Sequence, residues 1–364
     1  MNATGATGKC HGFCHTGVLA NFLSAGAISK VRKGAIDVRH RMARLAGALA
    51  LVCAGCSAGG TPAADDGVEE SGSAVHFAPY VNATTPADTE TAGTPSAYYV
   101  AFAVASGSGE CRPMWDDGTA IDDAAVKKRI GALRDSGADV RVSFGGATGT
   151  ELAVACESTA GLAAAYGQVL EQVGATTADF DIEGKTLENS AASTRRAKAI
   201  KLLQHRRPGL KASFTLPVMP TGLTPEGAEL LERAAGLDVR ISAVNIMAMS
   251  YSPSHTGDMG DYAIAAARAA HDQITRLPGM SGTAAWRALM VTVMIGVNDI
   301  EAETFTLGDA AQLAAFAAER KLGGLSMWSS ARDRECPGGA KAEVDDACSG
   351  VTQTKGAFSV ALSG

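Results

Sequence analysis

From residue 75 to the C-terminus, short apolar runs of strand length alternate with longer stretches whose apolar residues recur at helical spacing. Strand-like runs occupy 75–80 (Val-His-Phe-Ala-Pro-Tyr), 97–105 (Ala-Tyr-Tyr-Val-Ala-Phe-Ala-Val-Ala), 139–144, 178–183, 210–217, 241–249, 289–296 and 322–328. Helical patterns fall between them near 121–137, 158–174, 192–206, 225–236, 260–277 and 308–320. The last begins Gly-Asp-Ala-Ala-Gln-Leu, with Asp309 placed to cap it. Strands with intervening helices over about 290 residues predict an α/β fold, a single eight-stranded parallel β/α (TIM) barrel. A doubly wound open sheet is the alternative. No G-x-G-x-x-G follows the first strand, so the dinucleotide-binding form of that sheet loses support. Gly145-Gly146 after the third strand lacks the lysine and the spacing of a phosphate loop.

The fourth run carries the densest chemistry: Ala178-Asp179-Phe180-Asp181-Ile182-Glu183-Gly184. The side-chain period of a strand is two, so Asp179, Asp181 and Glu183 share one face while Phe180 and Ile182 share the other. Like charges stacked this closely cannot all ionise cheaply, and at least one pKa is expected to rise. Such a strand suits acid/base chemistry. The competing readings are a carboxylate ladder on an exposed edge strand, or a metal site.

Composition narrows the partners. A net charge of −6, with no Lys/Arg stripe interleaved with aromatics, argues against nucleic acid. Hydrophobic content of 46% is ample for a large core. The basic start after Met42, the apolar run behind it and the small residues Ala54-Gly55-Cys56 read as a secretory signal over 42–56. The ending resembles a bacterial lipobox, with Cys56 the lipidated residue, although Cys53 stands where Leu is usual; plain secretion is the alternative. Residues 1–41 precede a complete signal, which makes Met42 the expected start. Cys10, His11, Cys14 and His15 lie in that segment and fit no zinc spacing well. Residues 57–74 are small, polar and acidic, as in a disordered tether, and the folded body is expected over 75–364. With Cys56 set aside, Cys111, Cys156, Cys336 and Cys348 remain. An even number in an exported protein predicts two disulfides, with three pairings open, of which Cys111–Cys156 with Cys336–Cys348 is the most local.

Over Val75 to Gly364 the chain resembles glycoside hydrolase family 18, the chitinase family. Four strand ends carry the resemblance: Ser143-Phe144-Gly145-Gly146 is similar to the family's SxGG, and Asp179 to Glu183 to the second half of DGxDxDxE. Met247-Ala248-Met249-Ser250-Tyr251 is similar to the MxYD or MxMDY region, and Ser326-Met327-Trp328 to the strand that places a tryptophan under the sugar. The resemblance implies a retaining hydrolase of β-1,4-linked N-acetylglucosamine that uses the substrate's own N-acetyl group. It implies Glu183 as general acid and base, Asp181 holding the acetamido N–H, and Asp179 sharing a proton with Asp181. Trp328, Tyr251, Met249, Ser250, Ser143, Gly145 and Asn298 are the implied substrate-side residues. No cofactor and no metal are implied. The expected partner is chitin or a chitooligosaccharide, bound by a monomer that is secreted or held at the surface of a bacterial cell, with membrane contact only through a lipid at Cys56.

Two departures stand out. Thr176 and Thr177 occupy the first two motif positions, and Ser250 stands where the family has its strand-six Asp. A serine still hydrogen-bonds but brings no charge, so weaker activity or a shifted pH profile is expected. A sugar-binding protein on the same scaffold, or a hydrolase of N-glycan cores or peptidoglycan, are the alternatives. Among the remaining candidates, Trp115 is placed near the cleft and Trp286 outside it. Tyr98, Tyr99 and Phe102 read as core, His76 as a core histidine, His255 as a rim residue, and Asn298-Asp299 as within reach of a sugar hydroxyl.

Overall fold

The structure, a computed structural model, describes residues 76–107, 110–116 and 118–364. The upstream segment 1–41, the signal-like 42–56 with Cys56, and the tether 57–74 lie outside the described residues. Eight strands form the central sheet: β1 Tyr80–Asn82, β2 Ala97–Ala105, β3 Asp139–Gly145, β4 Thr177–Asp181, β5 Lys211–Met219, β6 Ile241–Met247, β7 Leu289–Met294 and β8 Gly324–Trp328. Each pairs in parallel with the next, from β1 through to β8. The ring closes through the residues just before β1. Phe77 bridges Leu325 in parallel, the Ala78 N–H donates to Leu325 O at 2.9 Å, and the Leu325 N–H donates to His76 O at 2.8 Å.

The first strand is therefore split rather than running unbroken over 75–80. Its upstream part pairs with β8 and its downstream part with β2. Pro79, which has no N–H to give to a ladder, sits at the changeover.

Helices wrap the ring because their starts and stops are written locally. In order they are α1 Ala124–Asp135, α2 Thr159–Val173, α3 Ser190–Arg206, α4 Pro225–Gly236, α5 Met259–Ile274, α6 Leu307–Arg320 and α7 Ala357–Ser363. Asp123, Ser158, Asn189, Thr224 and Asp258 cap the first five by accepting first-turn N–H groups. Gly174, at φ 67°, ends α2. At α6 the cap is Thr306, and Asp309 is its third-residue partner: the Thr306 hydroxyl takes the Asp309 N–H while the Asp309 carboxylate takes the Thr306 N–H. The sequence placed the right acid at the right helix end but in the wrong half of this box.

Three hairpins and two disulfides shape the C-terminal rim. Pro113–Trp115 folds back on β2 and pairs with Thr119–Ala120. Gly222–Leu223 folds back on β5, and Gly296–Val297 pairs with Thr304–Phe305 after β7. Cys111–Cys156 joins the hairpin after β2 to the short helix Leu152–Ala155 after β3. Cys336–Cys348 closes a loop after β8. These are the most local of the three pairings the sequence left open. Trp115 is fully buried and so does not line an open cleft, and His76 is exposed rather than core. Trp286 stacks on His271 at 3.9 Å on the outer layer, and Tyr98 and Tyr99 are core.

The two disulfides close loops of 45 and 12 residues. Chain-entropy reasoning gives about 4 and about 3 kcal/mol for loops of those sizes. Thermal unfolding should show a larger loss of Tm for Cys111→Ser/Cys156→Ser than for Cys336→Ser/Cys348→Ser. The reverse order would mean that native-state contacts, not loop closure, set the contribution.

Candidate functional site

β4 lies inside the ring, hydrogen-bonded on both sides, so its acids are not a ladder on an exposed edge. Asp179 and Asp181 occupy the strand and are buried, at 0% and 4% exposure. The strand ladder ends at Asp181, but the Ile182 N–H still donates to Thr215 O on β5, and Glu183 is extended, at φ −142° and ψ 175°. The alternation therefore continues, and Glu183 emerges half-buried at the C-terminal rim, just before the short helix Gly184–Leu187.

Asp179 rests on a bed of hydroxyls. Its Oδ1 accepts from Ser213 at 2.6 Å and from Thr215 at 3.0 Å. Its Oδ2 accepts from Ser143 at 2.7 Å and from Tyr80 at 3.2 Å, and lies 3.0 Å from Thr215. Cross-strand register explains the set, because Ser143 and Ser213 flank Asp179 directly on β3 and β5. Beside Thr215, at the same level on β6, Asn245 donates to Thr215 at 3.0 Å and accepts from Thr292 at 2.9 Å. Asp181 has no such bed: its Oδ1 is buried without a partner.

The electrostatics follow from this placement. Burial raises the Asp179 carboxyl, and the hydroxyls of Ser213, Ser143, Thr215 and Tyr80 oppose that rise. Burial raises Asp181 well above the carboxylate range, with Glu183 and Asp179 adding to it. Burial also raises Glu183, helped by the charge of Asp299. Tyr80 is raised well above its ordinary value by burial and then by Asp179 and Asp181, so it stays a hydroxyl donor. A protonated carboxylic acid at the rim, above a buried carboxyl pair, can give a proton to a bound oxygen and take one back. Among the described residues, no three His, Cys, Asp or Glu side chains are arranged to hold a metal ion.

Glycines let the walls close. Gly145 has φ +104°, and a Cβ there would sit 2.1 Å from Asp181 O. Gly146 has φ +88° and donates its N–H to Asp181 O at 3.0 Å; a Cβ on it would meet the Phe102 ring at 2.7 Å. Phe102, read as core, is half-exposed instead and stacks on Trp328 with centroids 5.6 Å apart, and Tyr80 meets Trp328 edge-on at 5.9 Å. Trp328 ends β8 with its ring partly open to solvent.

The remaining sequence candidates divide. Met249 and Ser250 are half-buried after β6, with Ser250 at φ +49° and its hydroxyl without a partner. Tyr251 is 7% exposed and packs with His255 and Tyr262, at 5.5 and 6.1 Å. The phenol that touches the acid column is Tyr80. Asn298 is 2% exposed, and its amide is committed to Met294 O, Gly296 O and the Ser250 N–H. That corrects the reading of Asn298 as a sugar contact; the exposed residues on this hairpin are Asp299, Glu301 and Ala302. Sequence reasoning missed Tyr80, Ser213, Thr215 and Asn245. The signal available was a polar residue at every second position of an otherwise apolar strand, as in Ser213 and Thr215.

No protein-family profile matches the chain. Among curated proteins it is 34% identical over 281 residues to the probable bifunctional chitinase/lysozyme of Escherichia coli (strain K12), covering 72% of this chain and 31% of that protein. It is 36% identical over 222 residues to Endochitinase 11 of Metarhizium anisopliae, covering 57% of this chain and 42% of that one. The chain thus spans about a third of the first of these relatives and about two fifths of the second. Among solved structures it is similar to the catalytic domain of a hyperthermophilic chitinase from Pyrococcus furiosus, at 31% identity and TM-score 0.70 over 79% of this chain and 93% of that one. Catalytic-site mutants of active domain 2 of the thermostable Pyrococcus furiosus chitinase, complexed with chito-oligosaccharides, match at 30% identity and TM-score 0.71, over 79% and 92%.

Two outcomes follow from the column. Because the folded Asp181 pKa is raised, its protonated form favours the native state below the ordinary carboxylate pKa, and that contribution is lost as pH rises through the raised value. Asp181→Asn should therefore gain in Tm over wild type as pH climbs, by roughly 2–4 °C per kcal/mol recovered, with little difference at pH 4. A gain that does not grow between pH 4 and pH 8 contradicts the raised pKa. Gly145→Ala should displace the Asp181 backbone and reduce turnover about a hundredfold, the scale of a misplacement near 1 Å. Steady-state kinetics on folded protein measures it.

Proposed function

The chain belongs to glycoside hydrolase family 18, the chitinase family, and from that premise we propose that it cleaves β-1,4-linked N-acetylglucosamine in chitin or chitooligosaccharides with retention of configuration. The observation that carries the reading is the graded column of Asp179, Asp181 and Glu183, buried at its foot and open at its rim.

In this mechanism the protonated Glu183 gives its proton to the glycosidic oxygen as the bond to the anomeric carbon breaks. The substrate's acetamido oxygen forms a bond to that carbon on the opposite face, leaving a positively charged oxazolinium. Asp181 accepts the acetamido N–H and offsets the charge. Water then attacks the anomeric carbon as its bond to the acetamido oxygen breaks and the acetamide is restored; Glu183 takes the water's proton, and the acid is regenerated. Asp179 and Asp181 titrate as a pair. The hydroxyl bed favours charge on Asp179, so the proton that the pair holds rests on Asp181 until substrate enters, when the acetamido N–H takes its place at Asp181 and the proton passes to Asp179. Trp328, stacked with Phe102, offers a flat apolar face to a sugar ring, and Met249 and Ser250 line the β6 side of the cleft.

A second reading is favoured by the name of the Escherichia coli relative, which includes lysozyme. On that reading the same acids cut peptidoglycan instead. The rim loops decide between the two glycans. The two disulfides support export to an oxidising compartment; secretion from a bacterial cell, or attachment to its surface through a lipid on Cys56, and action as a monomer are parts of the same proposal.

The test is hydrolysis of a fluorogenic chitotriose substrate across pH 4–8 beside Glu183→Gln. Wild type should release fluorophore, and Glu183→Gln should lose at least about a hundredfold, as expected for removal of a general acid. An inert wild type, or an equally active Glu183→Gln, sinks the proposal. Release from peptidoglycan but not from chitotriose selects the second reading.

A further inference from the structure

One buried acid outside the column has no task in the chemistry above. Glu303 has 0% exposure and immediately precedes the second strand of the hairpin after β7. Its Oε1 accepts the Ser252 N–H at 2.9 Å, while Oε2 is buried without a partner. Burial raises its carboxyl, and the N–H groups of Ser252, Tyr251 and Ser250 pull the other way, as does His255.

The loop that Glu303 faces has an unusual backbone. Ser250 is left-handed, at φ +49°, and consecutive N–H groups beside a left-handed residue form a concavity suited to an anion. Here the anion comes from the protein's own chain. Asn298, on the same hairpin, adds a second fastening: its Oδ1 accepts the Ser250 N–H at 3.4 Å and its own N–H donates to Glu303 O at 3.0 Å. His255 completes the surroundings, its Nδ1 lying 2.8 Å from the Ser252 hydroxyl and its ring 5.5 Å from that of Tyr251. The hydroxyls of Ser250 and Tyr251, like Glu303 Oε2, are buried without partners.

We propose that Glu303 is a positioning residue: its carboxylate, accepting the Ser252 N–H, locks the loop after β6 to the hairpin after β7 and so fixes one wall of the sugar cleft. The catalytic consequence rests on the hydrolase reading above; the locking itself does not. An aspartate at 250 is chemically able to take over. Aspartate tolerates left-handed φ, and its carboxylate accepts the N–H two residues on, here that of Ser252.

Four forms of the full chain test this: wild type, Glu303→Ala, Glu303→Gln, and Glu303→Ala combined with Ser250→Asp. Two readouts are taken, chitotriose kinetics and amide hydrogen exchange at residues 250–252. Glu303→Ala should speed exchange at these amides and lower kcat/KM about tenfold, mostly through KM. Adding Ser250→Asp should return both to within about threefold of wild type. Glu303→Gln keeps one acceptor without the charge, should fall between, and serves where Glu303→Ala does not fold. Unchanged exchange in Glu303→Ala, or a loss that Ser250→Asp fails to rescue, overturns the proposal. A wild type inert toward chitotriose overturns the hydrolase reading alone, because exchange still decides whether Glu303 locks the loop.

Discussion

Three acids share the dry interior and rim of one barrel, and their surroundings are arranged around the difficulty of charging them there. An ion taken out of water carries a penalty of several kcal/mol unless donors replace the lost solvent. Asp179 receives such donors: Ser143 from β3, Ser213 and Thr215 from β5, and Tyr80 from β1. Tyr80 belongs to the strand that completes the ring, three residues beyond the Phe77–Leu325 bridge. Closure of the barrel and solvation of its deepest acid therefore depend on the same short segment.

Asp181 is treated in the opposite way. It sits one step up the same face, but its Oδ1 has no donor and two acids flank it along the chain. The protein pays for this in stability near neutral pH, and function is the reason such a group persists. The backbone around it is as constrained as its charge. Asp181 O accepts the Gly146 N–H, and the chain passes so near it that only a glycine fits at 145. The sterics and the electrostatics of this residue thus converge on one requirement, that the carboxyl be held still while one of its oxygens is left without a donor.

Local signals carried most of the fold and the acid column but little of what supports them. The eight runs, the helices between them and the acid at the start of the last, Asp309, depend on period, length and end chemistry, all legible in a short window. Asp179, Asp181 and Glu183 were legible for the same reason, since their relation is a spacing of two. Tyr80 was not, because it lies 99 residues from Asp179 and only barrel closure brings them together. Thr215 and Asn245 were half legible, as polar positions in apolar strands whose register with β4 had yet to be established. Trp115 and His76 went the wrong way because a residue's type does not say whether its side chain turns inward or outward. Ser250 was flagged as a missing charge, but its left-handed backbone, and the bond from the Ser252 N–H to Glu303 across 51 residues, belong to tertiary structure alone.

The order of burial along the column also bears on how the site works. Asp179 is sealed and surrounded by hydroxyls, Asp181 is sealed with an oxygen left bare, and Glu183 is half open. Charge is thus best tolerated at the foot and worst in the middle, and only the rim acid can exchange protons with solvent directly. A proton placed on the pair rests in the middle, beside the bare oxygen, and a ligand N–H arriving at that oxygen supplies the donor that the protein withholds. Binding and ionisation of the middle acid are therefore linked: a group that donates there favours the charged form, and the charged form holds that group more tightly. A site with a full hydroxyl bed under all three acids would be more stable and would lose this linkage.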